Sequence, residues 1–213
     1  MKKIAFLVFL LAVCAAAGRA QESRQDISLS GTGLIEPFIA SSTDVEVNST
    51  TAYGGLASYR FMLTPSSALE VNYGITYQNS IRFSSPSFGC LPSGVCPGYK
   101  VLTRTQEMSG AFVRSFVFKN FNPFVEAGPA GIIFLPIRNS GTTTQDARQQ
   151  TQVGAMYGAG FAYEVSPSFD IRAEYRGLVT KVPTFGVTET TENFTTNRWF
   201  NISVPTLGVA YHF

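Results

Sequence analysis

In Asp170-Ile-Arg172-Ala-Glu174-Tyr-Arg176, charged residues alternate with apolar ones. On a β-strand that spacing puts all four charges on one face, with Ile171, Ala173 and Tyr175 on the other. Glu70 stands on the polar side of Leu69-Glu-Val71-Asn-Tyr73. Arg60, Glu126 and Glu164 hold comparable positions in their own segments. Gathered in one interior, these side chains form a mixed network of carboxylates and guanidiniums. Such a network can do three things. It can fill a lumen with ion pairs, because unpaired interior charges are costly. It can line a narrow path for ions or water. Two of its carboxylates could also act as the acid and base of glycoside hydrolysis, although a narrow barrel leaves no cleft for a sugar chain.

Other chemistry is poorly supplied. The single histidine, His212, sits beside the C-terminus with no serine near it in sequence, so acyl-transfer catalysis has no base beside a nucleophile. No catalytic residue, cofactor-binding residue or metal ligand is expected. Gly154, Gly158 and Gly160 miss the dinucleotide and phosphate-loop spacings, and no helical pattern follows them. Their expected role is to make room inside a crowded strand face. Cys90 and Cys96, five residues apart around a proline and a glycine, are expected to form a local disulfide in an oxidising compartment.

The elements that must position the charges are strands. Period-two alternation runs through eight segments, at about 27–40, 52–63, 68–83, 101–118, 123–137, 151–165, 169–182 and 197–213. In 153–165, Val153, Ala155, Tyr157, Phe161 and Tyr163 oppose glycines, Ala162 and Glu164. Tight links at 64–67, 119–122 and 166–168 alternate with long polar stretches at 41–51, 84–100, 138–150 and 183–196. This short–long rhythm belongs to an up-and-down antiparallel barrel that turns its apolar face to lipid. Two segments do not conform. Phe112, Arg114, Phe116 and Phe118 share one parity. In the last strand Phe200, Ile202 and Val204 are out of phase with Leu207, Val209, Tyr211 and Phe213. A bulge near Pro205 is the expected repair for the second, and the register of 101–118 stays open.

Residues 1–20 read as a cleaved secretory signal. Lys2 and Lys3 precede the apolar run 4–17, and Gly18-Arg-Ala20 supplies small residues before Gln21. Cys14 leaves a lipid-anchored alternative, which the bulky Val13 disfavours. The expected mature chain, 21–213, is one barrel domain. Losing Lys2, Lys3 and Arg19 from 16 basic residues leaves 13 against 14 acidic ones, a net charge of about −1. No basic patch supports nucleic-acid binding.

Gly158-Ala-Gly-Phe161-Ala-Tyr163, Asp170-Ile-Arg-Ala-Glu174-Tyr175-Arg176, Asn122-Pro-Phe-Val-Glu126-Ala-Gly128 and Thr206-x-Gly208-x-x-Tyr211-x-Phe213 resemble small bacterial outer-membrane β-barrel domain proteins. That group includes opacity-type surface antigens, OmpX and the membrane domain of OmpA. The resemblance covers about residue 27 to the end. It implies an all-β, eight-stranded transmembrane barrel in the outer membrane, with outer-membrane lipid, lipopolysaccharide and the barrel assembly machinery as partners. It also implies that Gly208, Tyr211 and Phe213 form an assembly signal. The sequence as given stops at the barrel, so a peptidoglycan-binding domain is not implied. The expected function is non-enzymatic: envelope integrity, or contact with a surface ligand through the loops. The alternative is a narrow channel or a conduit for small or apolar solutes, as in OmpW-type barrels.

Overall fold

A computed structural model of the chain describes residues 25–39, 46–84, 98–140, 147–185 and 198–213. The expected signal and the Cys90–Cys96 pair lie outside them. The described residues form nine strands: β1 (Gln25–Leu34), β2 (Glu46–Ser49), β3 (Ala52–Thr64), β4 (Ser67–Ser84), β5 (Gly98–Ser115), β6 (Phe121–Ser140), β7 (Gln150–Ser166), β8 (Phe169–Lys181) and β9 (Trp199–His212). Every pairing is antiparallel. The order β1-β3-β4-β5-β6-β7-β8-β9 closes when β9 returns to β1, with Asp26 opposite His212 and Thr32 opposite Thr206. Closure leaves no free edge among these eight strands, so backbone polar groups are satisfied within the wall.

The ninth strand, β2, lies in a stretch expected to be loop. It extends the β3 arm and pairs with the far end of β4, Ser49 opposite Ile81. The first predicted strand, 27–40, is correspondingly shorter. It ends at Leu34 and continues as two isolated bridges, Ile35–Ser203 and Ile39–Val47.

The tight links at 64–67, 116–121 and 166–169 lie at one end, the turn end, and the long connections at the other, the loop end. Over the turn-end half the outer face is apolar: Leu29, Leu69, Val71, Tyr73, Val125, Val209 and their neighbours are 40% exposed or more. Aromatic rings ring the turn-end rim, with Phe121 against Phe161 at 5.3 Å, Phe169 against Tyr211 at 5.1 Å and Tyr211 against Phe213 at 6.1 Å. This is the band and girdle of a membrane barrel.

The two nonconforming segments resolve without the expected repair. No bulge occurs at Pro205: the β8–β9 register runs unbroken from Phe169–Tyr211 to Lys181–Trp199. Phe200, Ile202 and Val204 point inward and are buried, continuous in phase with Thr206 and Ala210. What changes along β9 is the environment, not the register. Toward the loop end the lumen becomes mainly apolar, while β9 turns Asn201 and Ser203 outward. In β5, Phe112 and Arg114 both face outward. The strand stops at Ser115, and Arg114 at the rim donates to Ser67 Oγ at 2.7 Å.

The same inversion is made differently in β4. The β4–β5 register shifts between Ile75 and Gln78. Before the shift Asn72 and Thr76 point inward; after it Asn79, Ile81 and Phe83 do, leaving Gln78 and Arg82 outside. A Cβ on Gly54 would lie 2.1 Å from the Ile75 carbonyl oxygen, so glycine permits the close approach of β3 to this bulge. The interior is therefore built in two halves: charged toward the turn end, and mainly apolar toward the loop end.

Candidate functional site

The polar lumen of the turn-end half collects the charged faces of six strands. Arg60 (β3) donates through Nε to Glu70 Oε2 (β4) at 2.6 Å, with Nη2 at 2.5 Å from the same oxygen. Arg172 (β8) donates through Nη2 to both oxygens of Asp26 (β1) at 3.2 Å and through Nη1 to Ser28 Oγ at 3.3 Å; Nη1 also lies 3.6 Å from Glu70. Arg176 (β8) donates through Nη2 to Glu107 Oε1 (β5) at 2.6 Å and to Ser109 Oγ at 3.0 Å. Its Nε lies 3.4 Å from Glu126 (β6) and 3.9 Å from Glu174. All these side chains are buried.

Six of the eight charges singled out from sequence thus meet in one network: Arg60, Glu70, Glu126, Arg172, Glu174 and Arg176. Asp170 joins at its edge, 2.8 Å from His212 Nε2. Glu164 does not join. It stands half-buried at the turn rim, opposite Asp170 in the β7–β8 register. Asp26 and Glu107 were missed. Asp26 falls just before the first predicted strand, and Glu107 lies in the segment whose register was open, although Thr103-x-Thr105-x-Glu107-x-Ser109 alternates plainly.

Phe124 forms a floor to this network. Its buried ring carries the Arg60 guanidinium 4.7 Å from its centroid and that of Arg172 at 5.8 Å, both within cation–π range. The glycines of β7 provide the space: a Cβ on Gly160 would lie 2.8 Å from the Phe124 ring, and one on Gly158 2.6 Å from Glu126 Oε1. Below Phe124, a cavity of about 100 Å³ opens among Asp26, Asp170, Arg172 and His212, enough for a few water molecules. His212 lies between Asp170 and Asp26, 4.0 Å from the latter. No hydroxyl nucleophile is hydrogen-bonded to it among the described residues.

Oxygens of Glu70, Glu126 and Glu174 lie within 4.8 Å of one another. Three guanidiniums already lie among them, so the positive charge at this point comes from arginine.

Above the network the lumen is mainly apolar. Leu34, Ile81, Phe83, Ile132, Phe134, Met156, Leu178, Phe200 and Ile202 make one buried cluster, with Ile39 and Ala147 packed on it from the connections. Phe185, after β8, closes it from above. Its ring meets Phe83 at 6.1 Å and Phe134 at 6.3 Å, both edge-to-face. The glycine of the expected assembly signal also has a structural place. A Cβ on Gly208 would lie 2.2 Å from Ser30 Oγ and 2.3 Å from the Leu29 oxygen, across the β1–β9 seam.

A closed eight-stranded wall with a lipid-type outer face and a filled lumen is the architecture of small outer-membrane barrels. The model of the outer membrane protein beta-barrel domain matches residues 5–213. The chain belongs to this family. In barrels of this kind the short turns face the periplasm and the long connections the exterior, which places the charged network on the periplasmic side and the apolar cluster on the extracellular side. Solved structures agree on the fold. The outer membrane protein OprG from Pseudomonas aeruginosa is 9% identical, aligns over 91% of this chain and 97% of its own, and gives a TM-score of 0.55. Neisserial surface protein A is 13% identical over 88% and 97%, at 0.49. The N-terminal barrel domain of Pseudomonas aeruginosa OprF is 17% identical over 91% and 100%, at 0.48. These likenesses extend to the fold alone. No curated protein matches the chain.

Proposed function

We propose that this outer-membrane barrel is a closed, non-enzymatic scaffold that supports the envelope and presents its extracellular connections to surface ligands. The observation that carries this reading is that side chains cross the lumen at two levels: ion pairs on Phe124 below, and the aromatic closure of Phe83, Phe134 and Phe185 above. With the interior occupied, the surfaces left for function are the lipid-facing wall and the outer loops. In this reading residues 1–20 are the removed export signal. Gly208, Tyr211 and Phe213 are read by the assembly machinery, and lipopolysaccharide packs against the outer wall.

The test replaces 84–97 and 186–196 with short turns in a strain lacking the native chain. If the barrel itself supports the envelope, the trimmed protein restores detergent resistance as fully as the intact one. If the loops carry the function, the trimmed protein folds and inserts but loses surface binding. An intact protein that neither restores detergent resistance nor binds any surface ligand would contradict the proposal.

A second reading, a conduit for apolar solutes, is favoured by one observation. The extracellular half of the lumen is lined mainly by aliphatic and aromatic side chains, with Asn79, Thr103 and Thr180 as the polar minority. Uptake of an apolar dye into proteoliposomes would support this reading and count against a closed scaffold.

A further inference from the structure

Among the aromatic residues of the extracellular cluster, Phe185 differs in how it is held. Phe83, Phe134 and Phe200 project from strands, fixed by the wall. Phe185 comes from the segment 182–185 that leaves β8 and folds over the mouth. It is fully buried, yet its backbone takes φ 53°, the left-handed region that a bulky side chain avoids. That conformation persists only where the surroundings impose it, and such residues concentrate at ligand clamps and switches.

The constraint is concentrated in one side chain. Gln150 Oε1, at the start of β7, accepts from the Thr184 backbone N–H at 2.7 Å and from the Phe185 backbone N–H at 2.9 Å. The Arg148 N–H donates to the Phe185 carbonyl at 2.8 Å, and the Val182 N–H to the Arg198 carbonyl at 3.0 Å. The strap thus holds a strained backbone against the mouth, chiefly by one glutamine, with a phenyl ring driven into a slot of matching shape. Two edge-to-face contacts, at interplanar angles of 82° and 84°, define that slot. It presents what a small aromatic ligand would meet: ring edges and faces and aliphatic walls.

We propose that the slot filled by Phe185 is a binding site for a small, uncharged aromatic molecule, and that the strap is its built-in competitor. Ligand enters when the strap lifts and Phe185 withdraws. The apparent affinity is then the intrinsic affinity reduced by the fraction of time the strap is open. The proposal extends the conduit reading but does not require passage through the barrel.

The test uses the chain refolded into nanodiscs of perdeuterated lipid, with toluene as the probe and saturation-transfer NMR as the readout. Protein-free discs give the background, and heat-modifiable migration verifies folding. Gln150→Ala removes the three hydrogen bonds that Thr184 and Phe185 donate to it and no apolar volume from the slot, so toluene should bind about tenfold more tightly than to the unaltered chain. Phe185→Ala vacates the slot and should bind at least as tightly. Phe185→Trp overfills it and should bind no toluene. Binding by Phe185→Ala but not by Gln150→Ala, with both folded, would overturn the proposal: the ring would then be an ordinary core residue whose removal leaves a cavity. No binding by either folded variant would overturn it as well. Binding by Gln150→Ala without transfer of toluene across vesicles would uphold the site and remove the conduit reading.

Discussion

Arg176 is the residue on which most of the lumen depends. It holds Glu107 directly and lies against Glu126 and Glu174, so its removal leaves several buried carboxylates without a counter-charge. Breaking a buried pair from one side costs about 3–5 kcal/mol, whereas replacing both partners with apolar groups is close to neutral. Arg176→Met should therefore lower the urea midpoint of the refolded barrel sharply, and adding Glu107→Leu should recover much of the loss. Equal losses in the single and double variants would mean that the pair is not the unit. Gly208 acts through space instead of charge. Gly208→Val forces a side chain into Ser30 and the Leu29 backbone at the seam that closes the barrel. Overpacking of this kind costs about 1–3 kcal/mol, and the variant should show a reduced folded fraction on heat-modifiable gels even in pure lipid, without assembly machinery. Normal unaided refolding would restrict Gly208 to recognition. The charged residues were legible because alternation fixes a side chain's face before any neighbour is known. Their partners were not, since Asp26 on β1 and Arg172 on β8 meet only when β9 closes the sheet between them.

At the scale of elements, seven of the eight predicted strands agree with the structure to within about three residues at each end, and the short turns fall where proline, serine and asparagine cluster. The failures share one cause. A single apolar face was expected to run the length of each strand, but the surroundings reverse at the membrane boundary. β9 meets the reversal by changing residue type at constant register, and β4 by a bulge at 75–78. Neither solution has a local signature, because the level of the boundary is a property of the whole wall. The connection after β1 supplies a pH-dependent element. Glu36 is buried outside the strands and accepts a hydrogen bond from the Ser49 hydroxyl beside Asn79. Burial pushes its carboxyl up from 4.5 to about 7. A carboxyl raised by folding stabilises the protein fully below its unfolded value, and that contribution is lost as pH rises through the folded one. The clasp between 35–39 and β2 should therefore hold near pH 4.5 and loosen toward pH 7. Exchange protection of the Ile39 and Val47 amides, corrected for intrinsic rate, should fall over that window. Glu36→Gln should remove the dependence, and a flat profile in the unaltered chain would contradict the assignment.

For the molecule as a whole, two solvents shape one barrel. Beside lipid the wall is apolar outside, and the interior must hold charge in pairs. Beyond lipid the same strands enclose an apolar core, as a water-soluble barrel does. The two fillings meet inside a closed wall, so an ion entering the periplasmic cavity at His212 and Asp170 faces an arginine-bound network and then an aromatic plug. The most direct test is planar-bilayer conductance of refolded residues 21–213, with insertion verified by protease protection. The account predicts a silent bilayer for the unaltered chain over the physiological voltage range. Discrete, reproducible steps that shift with Glu126→Gln or Arg172→Gln would contradict it, because they would place a continuous water path through the charges and past the plug.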